Sequence, residues 1–178
     1  QIARTVSKER DFFDVDVNGL VPLGNARFVS TNLVTPLSTT QNITLDATED
    51  DAYDNVNSNY IRLITVPATP AGSPRVSTRI RVTTRAAAPD IDLFIGRDTN
   101  SDGLPSEGEE NCRSTSAQSD EVCELSVLSE ATPFNYWVMV QNYSGPGAAV
   151  VVDSYVVPLV AGNGASLVAT GPGNVPAG

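Results

Sequence analysis

The chain predicts an all-β domain, a two-sheet antiparallel β-sandwich of the jelly-roll kind, and three observations carry that reading. Apolar residues recur with a period of two, the spacing of a strand with one buried face. The alternating runs are separated by clusters of Gly, Pro, Asn, Asp and Ser, such as PATPAGSP, DTNSDGLPSEG and NYSGPG, spaced as turns are in sandwiches. The composition holds 22 Val and 16 Thr, β-branched residues suited to a pleated surface, and no run of helical periodicity accompanies them.

Taken in order, Val15 and Val17 open the alternation, and segments 12–20, 26–34 and 42–46 read as short strands, too few for a sandwich of their own. Residues 1–50 are therefore either the remnant of a preceding β domain or extra strands of the main one. The run DATEDDAYDNVNSN, polar and without period, marks the boundary, and residues 51–160 form the main sandwich. Ile61, Leu63 and Thr65 alternate next. In VSTRIRVTT, residues 76–84, Val76, Ile80 and Val82 share one face and Arg79 and Arg81 the other, the pattern of a half-buried antiparallel strand. Segments 90–95, 122–128, 135–142 and 148–160 complete the set. In NYWVMVQNY, Tyr136, Val138 and Val140 take one face and Trp137, Met139 and Gln141 the other, as in a central strand covered on both sides. Residues 161–178, rich in Gly and Pro with one strand-like piece at 165–169, read as a linker to a missing domain. The start at Gln1, without a basic, apolar leader, reads as a mature or excised fragment whose targeting signal lies outside it.

The formal net charge is -10, from 21 acidic and 11 basic residues, and it argues against nucleic acid and membrane surfaces as partners. Residues 90–130 alone carry eleven acids against Arg97 and Arg113, a net of -9, so the acidity is local. The apolar stretch 148–160 is interrupted by Asp153, Ser154 and Pro158 and does not read as a membrane span. The chain contains no histidine, which removes Ser-His-Asp and Cys-His nucleophiles and His metal centres from this chain. Carboxylate pairs remain, Asp90 with Asp92 on one strand face or Glu109 with Glu110, but in so acidic a window such pairs arise by chance.

Within that window DTNSDGLPSEGE, residues 98–109, fits the calcium-loop template D-x-[DN]-x-[DN]-G-x5-E. Asp98, Asn100 and Asp102, the Leu104 carbonyl, Ser106 and Glu109 would supply hard oxygens, and Gly103 the sharp turn. The flanks are not those of a helix-loop-helix hand, so this would be a calcium loop set between strands. The alternative is an Asx-rich loop without metal, in which Ser106 and Glu109 form a capping box for one helical turn. Cys112 and Cys123 are the only cysteines, and their proximity favours an oxidised staple in an exported protein over two buried thiols. Trp137 reads as core. The competing reading is an exposed aromatic platform of Trp137 and Tyr143 that grips a polysaccharide or a fibrous protein. Asn42-Ile-Thr44 and Asn142-Tyr-Ser144 match the glycosylation pattern.

From about residue 59 to 160 the chain resembles the bacterial pre-peptidase C-terminal domain, an accessory β-sandwich of secreted proteases. Asp90-Ile91-Asp92-Leu93-Phe94-Ile95 is similar to that family's D-x-D-L-[YF] strand. Tyr136-Trp137-Val138-Met139-Val140, followed by Asn142-Tyr143-Ser144-Gly145, is similar to its Y-x-V-x-V strand and Y-S-G turn. The DTNSDGLPSEGEENC loop, Cys123 and the N-G-L-V-P run at 18–22 resemble a variant in long subtilisin-like serine proteases. The resemblance implies a non-catalytic, secreted module, with the parent's catalytic domain as its partner and an insoluble protein or polysaccharide as a further one. The rival expectation is a stand-alone extracellular binding or adhesion module.

Overall fold

The computed structural model describes residues 34–54 and 59–159. Their strands are β1 (Leu37–Ile43), β2 (Tyr60–Val66), β3 (Ser77–Ala86), β4 (Asp90–Arg97), β5 (Glu110–Ser114), β6 (Val122–Leu128), β7 (Phe134–Ser144) and β8 (Ala148–Pro158), with one 3-10 turn, Glu107–Glu109, before β5. They form two four-stranded sheets, ordered β1-β8-β3-β6 and β2-β7-β4-β5, antiparallel throughout. That interleaving of two sheets is the jelly-roll order, so the expected fold class is the one observed.

Alternation places the core. Ile64 and Val66 of β2, Ile91, Leu93 and Ile95 of β4, and Tyr136, Val138 and Val140 of β7 meet Ile80, Val82, Val150 and Val152 from the other sheet. The opposite faces of β4 and β7 are covered as well. Phe94, Trp137 and Met139 pack with Ala52 in a second cluster, under the segment that follows β1. This double burial is why NYWVMVQNY is apolar on both faces. On the outer face of β3, Arg79 and Arg81 both reach Glu124 of β6, at 2.9 and 3.3 Å.

Three details differ from the sequence reading. The first described strand is Leu37–Ile43 rather than 42–46, and it pairs with β8 from Leu37 opposite Ser154 to Ile43 opposite Ala148, as part of this sandwich. Strand β5 was not foreseen, because ENCRS holds little apolar material to alternate. Asn142 is fully buried and donates to the carbonyls of Ile43 and Pro146, so it presents no glycan acceptor in the folded chain. The candidate strands at 12–20 and 165–169, and nearly all of 26–34, lie outside the described residues.

The disulfide Cys112–Cys123 is formed, with the Cα atoms 5.9 Å apart. It joins β5 to β6, the edge strands of different sheets on the same side of the sandwich. On the opposite side the edges β1 and β2 are linked by hydrogen bonds, Thr39 to the Tyr60 hydroxyl at 3.0 Å and Arg62 to the Leu37 carbonyl at 3.4 Å.

Candidate functional site

The loop between β4 and β5 carries all six candidate calcium ligands. It turns through left-handed backbone at Ser101 (φ 61°) and Gly103 (φ 73°), the latter as the template requires. Two Asx turns shape it: Asn100 Oδ1 accepts from the Asp102 N–H at 3.0 Å, and Asp102 Oδ1 from the Leu104 N–H at 2.8 Å. Leu104 itself is 47% exposed. Ser106 occupies the N-cap position of the 3-10 turn but makes no side-chain cap bond, so the capping box is not built.

Glu109 turns back across the loop instead. Its Oε1 accepts from the Thr99 N–H at 2.7 Å, the Thr99 hydroxyl and the Asn100 N–H at 3.2 Å, and its Oε2 from the Trp137 indole N–H at 3.1 Å. Burial alone would raise its pKa; the donors from Thr99, Trp137 and Asn100 outweigh it and hold the carboxyl down at about 2. Asp98 is different in kind. It is 7% exposed, and its Oδ1 is buried with no hydrogen-bond partner. Among the described residues no three acidic or cysteine side chains converge closely enough to hold a metal ion.

Trp137 is 0% exposed and therefore forms no surface platform; its indole lies over Gly96 of β4. A Cβ at Gly96 would overlap the indole and stand 2.6 Å from the Glu109 carbonyl oxygen. Gly96, Trp137 and Glu109 thus pack as one unit, which sequence reasoning missed. The available signal was a glycine inside an otherwise apolar strand, a mark of close approach. Tyr143 stays partly exposed at the end of β7.

Tyr143 belongs to a second feature, a cleft of about 560 Å3 on the outer face of β4, β5 and β7, beside the segment after β1. Asp92 lines it. The Asp92 carboxyl is raised to about 7, first by burial and then by Asp90 and Glu121, with Arg113 opposing. Asp90 is raised for the same reasons, burial first and then Glu121.

No family model matches this chain, and no curated protein matches it.

Asp92 makes stability depend on pH. Between 3.8 and about 7 the folded state keeps a proton that the unfolded chain has released. Stability therefore falls as pH rises through that window and levels off above it. Asp92→Asn is expected to stabilise the protein by on the order of 2 kcal/mol at pH 8 and to have little effect near pH 3.5. Urea melts at both pH values read this directly, and an equal effect at both would contradict it.

Proposed function

We propose that the chain is a non-catalytic accessory β-sandwich of an exported subtilisin-like serine protease, held by one disulfide and one calcium ion. It would serve that protease's catalytic domain in maturation, secretion or the gripping of insoluble substrate. One observation carries the reading. The two motifs behind the resemblance are hydrogen-bonded neighbours in the middle of one sheet, with Leu93 opposite Val140, Phe94 opposite Met139 and Ile95 opposite Val138. The Tyr143-Ser144-Gly145 turn also closes on the start of the D-x-D strand. Gly145 has φ 101°, and a Cβ there would come within 2.7 Å of the Pro89 Cγ, so both its conformation and its space demand glycine.

The disulfide supports export, since such bonds persist in oxidising compartments. Lack of histidine supports a non-catalytic role. Support for calcium comes from Asp98, whose buried, unpartnered Oδ1 stands at the first position of the loop template. Against a preformed site, Glu109 is already committed to loop amides and Trp137.

The complete gene tests the main reading: an encoded Asp, His and Ser peptidase domain is expected upstream, and a gene without one overturns it. For calcium, ion at one to ten times Kd should add about 0.4–1.4 kcal/mol of stability. The melt should shift back with chelator and be insensitive to calcium in Asp98→Ala. An unchanged midpoint removes calcium from the proposal.

A further inference from the structure

We propose that the cleft on the outer face of β4, β5 and β7 docks an arginine-bearing segment of another protein, its guanidinium taken by Asp92 and Asp90. The inference does not depend on the protease reading. Six acids line the cleft, Glu49, Asp50, Asp51, Asp90, Asp92 and Glu107, against a single base, Arg113. Charge alone would describe a solvated face. Asp92 sets this one apart: it is 6% exposed, yet it lines the cleft, beside the like charges of Asp90 and Glu121. Asp90 adds a buried Oδ1 without a hydrogen-bond partner. A buried carboxylate oxygen without a donor is costly, and an entering cation with N–H donors relieves that cost while neutralising the paired acids.

The form of the cleft selects the cation. A calcium ion needs six to eight oxygens around one point. Among the described residues no three acidic side chains converge in that way, and the volume far exceeds that of an ion. Tyr53, Phe94 and Tyr143 supply aromatic lining, which suits a flat, weakly hydrated guanidinium. Arg113 shows the arrangement within the chain itself. It donates to both Glu110 oxygens at 2.7 and 2.9 Å with its guanidinium carbon 5.9 Å from the Phe94 ring centre. Being committed to Glu110, it leaves Asp90 and Asp92 to an outside partner.

Fluorescence anisotropy with a labelled peptide carrying two arginines tests this, alongside the same peptide with citrulline, which keeps the shape and removes the charge. The arginine peptide should bind at least tenfold more tightly than the citrulline one. Asp92→Asn and Asp90→Asn should each weaken it at least tenfold, with thermal melts confirming that both variants fold. Asp120→Asn, an exposed acid not lining the cleft, should change binding less than twofold. Binding should also weaken with salt and with acidification, as protons compete for Asp92, which is faced by Asp90, Glu121, Arg113 and the Tyr143 hydroxyl. Absence of binding, equal binding of the citrulline peptide, or equal loss in Asp120→Asn overturns the proposal. So does calcium chloride that binds alone, displaces the peptide and loses its own binding in Asp92→Asn, because that result identifies a metal site.

Discussion

Trp137→Ala should lower the free energy of unfolding by about 3–5 kcal/mol, the range for emptying a buried aromatic site. The indole is 0% exposed, stands edge-on to the Tyr53 ring at 6.2 Å between centres, and donates its N–H to Glu109 at 3.1 Å. Its loss opens a cavity over Gly96 and strips Glu109 of a donor. Trp137→Phe, which keeps much of the packing but removes the donor, should cost less, about 1–2 kcal/mol. Gly96→Ala attacks the same contact from below and should cost about 1–3 kcal/mol through overpacking. Guanidinium melts followed by circular dichroism give all three values, and a loss below 1 kcal/mol for Trp137→Ala would contradict its place in the core.

Removing the disulfide is the second large effect. With Cys112 and Cys123 separated by 11 positions, the chain-entropy model gives a loss of about 3 kcal/mol when the bond is absent. Cys112→Ser with Cys123→Ala is the right pair, because Cys123 is fully buried and a hydroxyl there would find an apolar neighbourhood. The chain's single tryptophan, being buried, reports the transition by its emission. The denaturation midpoint should fall in the variant, and reductant should lower the wild-type midpoint to meet it. A wild type indifferent to reductant would show that the bond contributes nothing.

Sequence read the strands well where burial is one-sided or complete. VSTRIRVTT, VCELSVL and NYWVMVQNY each carry their own face pattern, so β3, β6 and β7 emerge to within a residue or two. It read poorly at the sheet edges. In β1 six of seven residues are less than fully buried, and in β5 none is buried, so neither has a pattern to find. The candidate loop was legible as a template, but its internal bonding was not, since Glu109 answers to Thr99 and to a tryptophan two strands away. Asp90 and Asp92 were visible as a pair on one strand face. The cleft was invisible, because it draws on the segment after β1 and on three strands that only folding brings side by side.

The bond between β5 and β6 has a consequence for how the protein fails. Among the described residues both are terminal strands, with no further strand paired to their outer edges, and terminal strands recruit strands from other molecules. VCELSVL is well suited to that role, with Val122 and Leu128 already 45% and 51% exposed and Cys123, Leu125 and Val127 facing inward. While the bond holds, the two rims stay tied and the inward residues remain covered. Once it is cut, the rims are free to part, and the same segment offers a sticky border with a thiol beside it. Reduction is therefore expected to promote aggregation as well as to lower the melting point, and light scattering with and without reductant would show it.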